Sequence, residues 1–131
     1  MAPMFPLQTE GKHTANFILS EATGNRSRAN ALFVDPATVY VGAPVKKVAA
    51  TSDIPEHWTV VADNDQSVGA DCEALAIYGG VTSSGYDIKL AILVRDAEVN
   101  GNLVRWPVGM VQGEITAAIA KLATAGIIVR Y

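Results

Sequence analysis

A single segment of this chain, Gly113 to Ala125, carries a helical period. Ile115, Ala118, Ile119 and Leu122 fall on one apolar stripe, alanines favour the helix, Glu114 sits near its positive end, and Gly126 suits a left-handed stop. The other apolar runs are short and are broken by glycine, proline or polar clusters. A chain built this way is confined to a mainly β class with one short helix, a β-rich α+β domain.

The clearest strand is Ile88 to Val94, where Ile88, Leu90, Ile92 and Val94 alternate with Lys89, Ala91 and Leu93, which predicts one strongly apolar face. Asn100-Gly101 reads as a tight reversal into a further strand, Leu103 to Trp106, which Pro107 ends because it has no N–H for the ladder. Gly126 to Tyr131 reads as a terminal strand. Upstream, strands are expected over 13–20 (with Phe17 and Leu19 on one face), 38–41, 45–48, 58–62 and 73–78. Glu21 to Asn30 reads as turn-like around Gly24-Asn25, and Val81 to Gly85 as a loop.

Residues 1–12 stand apart from a single domain over 13–131. Pro3 and Pro6 favour extended backbone, and neither period is present. The apolar Met4, Phe5 and Leu7 leave two readings, a disordered terminus or an extended N-terminal arm lying on a neighbouring subunit.

Composition removes several function classes. The net charge of −3 argues against an electrostatic nucleic-acid binder. No apolar run reaches the roughly 18 residues of a membrane span, and no basic region followed by a long apolar stretch marks a signal peptide. The lone Cys72 has no internal disulfide partner, which fits folding in a reducing host cytoplasm. Charged residues make up only 18% of the chain, which suits either a surface partly covered in the working state or one that is merely charge-poor.

Catalytic and metal patterns fail on inspection. Asp63-x-Asp65-x-Ser67 imitates the start of a calcium loop, but Val68 replaces the sharp-turn glycine and Ala74 the bidentate glutamate. His13 and His57 lack ligand companions at zinc spacing, Gly79 to Gly85 lacks the Gly-Lys-Ser/Thr ending of a phosphate loop, and Cys72 has no nucleophile context. No enzyme, metal or cofactor is expected. Arg26 and Arg28, two apart and pointing the same way in an extended chain, read as solvated arginines or as partner contacts. Trp106 reads as a core anchor or a subunit-interface centre.

The run Arg95-Asp-Ala-Glu-Val-Asn-Gly101, the pair Trp106-Pro107, the terminal Gly126-Ile-Ile-Val-Arg130 and the opening Phe17-Ile-Leu-Ser-Glu-Ala-Thr-Gly-Asn-Arg-Ser-Arg28 resemble the bacteriophage lambda head decoration protein family. That resemblance implies a bent-ribbon, β-clip-like fold. It also implies a capsid cementing protein that binds as a homotrimer to the major capsid protein, at three-fold and quasi-three-fold positions on the outer surface of the expanded head. There it would stabilise the shell against internal DNA pressure. The capsid-contact arm would comprise Ala2, Pro3, Met4, Phe5, Pro6, Leu7, Gln8, Thr9 and Glu10, although the arm itself matches the family poorly. Two alternatives stand beside this reading: a virion-displayed host-surface or carbohydrate-binding module, and a β-clip nucleotide hydrolase, for which the acidic and glycine-rich motifs are missing.

Overall fold

The computed structural model describes residues 15–62 and 71–131. Its elements run β1 (Ile18–Glu21), β2 (Arg28–Phe33), β3 (Thr38–Val39), β4 (Pro44–Val48), β5 (His57–Val60), β6 (Ala74–Ala76), β7 (Gly80–Val81), β8 (Ile88–Leu93), β9 (Ala97–Asn100), α1 (Gln112–Thr124) and β10 (Ile127–Arg130). The mainly β, single-helix class is observed.

β8, the strand with the clear period of two, is the centre of the fold. It pairs antiparallel with β2, from Arg28 opposite Leu93 to Phe33 opposite Ile88, and with β6 on its other side. With β4 and β5 these strands close a barrel in the order β2-β5-β4-β6-β8, which removes free edges from this part of the molecule. β3 and β7 form a separate two-stranded ribbon.

Beside the barrel lies a three-stranded sheet in the order β1-β9-β10. β10 runs parallel to β9, so the chain needs a crossover between them, and α1 supplies it as a βαβ unit. The helix matches its expected stripe: Ala118 and Leu122 are buried, with Ile115 and Ile119 half-buried. Glu114 stands in its first turn and Lys121 in its last, both favourable to the helix dipole. Gly126, at φ 83°, makes the left-handed exit.

Two cores meet across β8. Ile92 packs with Ala31, Phe33, Val39, Val45 and Ala76, whereas Leu93 packs with Phe17, Leu75, Ile77, Val99, Leu122 and Ile127. The expectation of a single apolar face is therefore incomplete. Toward its end β8 is buried on both sides, because the three-stranded sheet and helix cover the face that alternation leaves for solvent. A third, smaller cluster joins Val61, Cys72 and Ala118 beneath Trp106 and Met110.

Three other expectations are corrected. Asn100-Gly101 does not lead a hairpin into a strand at 103–106. β8 and β9 lie in different sheets, and residues 101–104 form a turn in which Leu103 and Val104 donate to the Asn100 carbonyl at 3.0 and 3.2 Å. Phe17 and Leu19 do not share a face: Phe17 is fully buried and Leu19 is 54% exposed, because the β1–β9 register shifts between Ile18 and Ser20. Glu21 to Asn30 is not wholly a turn either, since β2 begins at Arg28.

Candidate functional site

The arm residues, Ala2 to Glu10, and the arm–domain boundary lie outside the described residues, as does the Asp63-x-Asp65-x-Ser67 pattern. The described chain starts at Ala15, which holds φ 62° and accepts a bond from the Ile18 amide at 3.1 Å. That turn delivers Phe17 into the core and β1 to the edge of its sheet, where it pairs with β9. Among the described residues, the outer edge of β1 has no strand partner.

Arg26 and Arg28 flank Ser27, which is fully buried. The Ser27 hydroxyl accepts from the Ala22 amide and donates to the Asp96 carbonyl, both at 2.9 Å, while its own carbonyl accepts from the Val94 amide at 2.9 Å. Ser27 thereby ties the turn to the ends of β1 and β8. Arg28 grips Glu21 with two charge-assisted bonds, from Nε at 2.9 Å and Nη2 at 2.7 Å. Arg26 is largely exposed and stands 3.9 Å from Asp96. The structure separates the two arginines' roles: Arg28 is held within its own chain, and Arg26 faces solvent.

Trp106 is half-buried and packs against both the Leu93 and the Cys72 clusters. Its indole Nε1 is buried and has no hydrogen-bond partner among the described residues. Trp58 is also half-buried, whereas Tyr40, Tyr78, Tyr86 and Tyr131 are exposed.

A groove that the sequence reading did not single out opens between β3 and the turn at Gly79. It encloses about 370 Å³ and is lined by Val39, Tyr40, Val41, Gly79 and Arg105. The Arg105 guanidinium lies over the Tyr40 ring, 3.9 Å from its centroid. Gly42 builds this geometry. Its amide donates to the Ala76 carbonyl at 2.8 Å, and its carbonyl accepts from the Arg105 amide at 2.9 Å, which fixes the two walls relative to each other. Tyr40 and Arg105 are far apart in the chain, and neither falls in a recognisable motif, so no local pattern points to them.

Other chemistry is sparse. Among the described residues no group of three His, Cys, Asp or Glu side chains could hold a metal ion, and no helix is long and apolar enough to cross a membrane. Burial pushes the Cys72 thiol up to about 11, so it stays protonated and unreactive near neutral pH. The Arg28 hydrogen bonds hold the Glu21 carboxyl below its ordinary value, and the Arg130 bond at 3.0 Å does the same for the exposed Glu98. A depressed carboxylate contributes stability above its unfolded-state value and loses it as pH falls through the folded one. The melting temperature is therefore expected to fall as pH drops below about 4.5, and Glu21→Gln should melt lower near neutral pH with a flatter acid limb. Thermal melts from about pH 7 down to about pH 3 test this, and parallel curves for the two proteins would refute it.

A family model described as bacteriophage lambda head decoration protein D matches residues 7–127. No curated protein matches the chain. No solved structure matches it either.

Proposed function

The chain belongs to the bacteriophage lambda head decoration protein family, and from that membership we propose that it cements the outer surface of the expanded phage head as a trimer. The match over residues 7–127, nearly the whole chain, carries this reading. As a head decoration protein it binds a phage capsid and resides on the virion. The finer proposal is that its partner is the major capsid protein, that it sits at three-fold and quasi-three-fold positions, and that it stabilises the shell against packaged DNA. The role is structural, with no catalytic step.

The physical logic is multivalency. A trimer offers three copies of a modest contact, so the second and third engagements are effectively intramolecular. Ala2 to Glu10 would make the main contact by adding backbone hydrogen bonds to an exposed strand of the shell and burying Met4, Phe5 and Leu7. The exposed Arg26 is a secondary candidate. Arg28 is a weaker one, because leaving Glu21 would sacrifice two charge-assisted bonds. Trp106 packs against two clusters, which supports the core-anchor reading over a trimer-interface one.

Co-sedimentation with expanded, undecorated capsids of the cognate phage tests the reading. Full-length protein should saturate near one copy per major capsid subunit, and deletion of Met1 to Glu10 should weaken binding at least tenfold. Saturation unaffected by the deletion would move the contact into the folded body, and absence of binding would reject decoration. The four exposed tyrosines support a second reading, a virion-displayed host-surface or carbohydrate-binding module. Binding to cell-surface glycans without capsid binding would favour it.

A further inference from the structure

Resting on the decoration reading, we infer that the Tyr40–Arg105 groove is a second shell contact, which receives an extended apolar segment of the major capsid protein bearing an aspartate or glutamate.

Arg28 is paired with Glu21 and Arg130 with Glu98, but among the described residues no carboxylate lies at ion-pair distance from Arg105. Its contact with the Tyr40 ring covers one face of the planar cation. Stacking on a ring does not consume the in-plane N–H donors, and those donors match a carboxylate bidentately. The ring also limits the side chain's freedom before any partner arrives, which reduces the entropy lost on pairing.

The walls define the rest of the ligand. Val39 and Val41 are apolar, and the absent side chain of Gly79 lets the two walls lie close together, since a Cβ there would stand 3.2 Å from the Val39 carbonyl oxygen. A volume of about 370 Å³ admits one apolar side chain and its neighbouring backbone, with the carboxylate reaching the rim. Neutral or basic segments would leave the cation unanswered.

Position favours the shell as the source. Phe17 and Arg105 both stand next to Gly42: a Cβ there would lie 3.6 Å from the Phe17 ring and 3.5 Å from the Arg105 amide. The groove therefore lies near Phe17, a residue close in sequence to the proposed contact arm, which favours one partner surface for both. Two other grooves among the described residues carry less. In one, both Asp35 carboxylate oxygens are already engaged by the Thr82 hydroxyl and the Gly85 amide. In the other, Arg28 is committed to Glu21.

The test uses full-length protein carrying Arg105→Glu, Arg105→Gln or Tyr40→Ala, with expanded, undecorated capsids as the probe. Only the side chain changes at position 105, so the backbone bond to Gly42 remains, and thermal melts should match the parent. Capsid affinity should fall roughly tenfold for Arg105→Gln and further for Arg105→Glu, with Arg105→Lys recovering part of the loss. Raising salt should weaken parent binding more than Arg105→Gln binding. Parent-like binding by Arg105→Glu would overturn the groove contact while leaving decoration intact. A parent that fails to bind capsids would remove decoration and the groove contact with it. A change in oligomeric mass caused by Arg105→Glu, measured by sedimentation equilibrium, would assign the groove to contacts between copies and overturn the shell assignment.

Discussion

Phe17→Ala is expected to lower the unfolding free energy by about 3–5 kcal/mol, a large share of the roughly 5–15 kcal/mol available to a domain of this kind. The ring is fully buried and packs in one cluster with Leu75, Leu93, Val99, Leu122 and Ile127. Those residues come from, or directly flank, β6, β8, β9, α1 and β10, so this one side chain joins the barrel to the three-stranded sheet and the helix. Truncation removes apolar surface from a site walled by three kinds of element, and such a site collapses poorly. Equilibrium urea denaturation measures the effect through the midpoint. A loss under about 1 kcal/mol would mean that the two halves are held together elsewhere.

Gly42→Ala is the second large effect, expected at about 2–5 kcal/mol from two separable causes. At φ 77° a non-glycine residue is strained, and a Cβ would approach the Leu103 carbonyl oxygen to 3.0 Å. That oxygen belongs to backbone that cannot swing aside, because the neighbouring Arg105 amide is bonded to Gly42 itself. Two companion substitutions apportion the causes. Gly24→Ala, at φ 71° with nothing within 4 Å, reports the conformational cost alone, about 1 kcal/mol. Gly101→Ala brings a Cβ to 2.5 Å from the Tyr131 ring, but that ring is 70% exposed and can move away. Gly42→Ala should exceed both in the same denaturation series, and equality with Gly24→Ala would show that the Leu103 segment yields freely. Because Gly42 spaces Tyr40 from Arg105, the variant should also lose the capsid affinity assigned to the groove.

What the sequence made legible was periodic or punctuated. The stripe from Ile115 to Leu122 gives α1 to within one residue at each end, and Gly126 marks its exit. The alternation from Ile88 to Val94 gives β8. β2 escaped because Arg28-Ala-Asn-Ala pairs small residues with polar ones, and its burial comes from β8 lying alongside rather than from its own apolar content. β9 was hidden by Asn100-Gly101, whose dipeptide promises a hairpin. In the fold, Asn100 instead closes a turn with its side chain, accepting from the Asn102 amide at 3.0 Å, and Gly101 makes room for Tyr131. The groove was illegible for a different reason. Tyr40 and Arg105 meet only because Gly42 binds the 103–105 segment, and no local window contains both.

The mixed sheet also sets a schedule for synthesis. β1 is among the first described residues to leave the ribosome, yet its partner β9 follows some eighty positions later, and β9 gains its second neighbour only when Ile127 to Arg130 emerge. The barrel, whose last strand ends at Leu93, has all its strands available before that point. Distant pairings carry a large loop-closure cost and form slowly. The three-stranded sheet can therefore be completed only after every strand of the barrel has been made, and until then the barrel flank that the sheet covers is open.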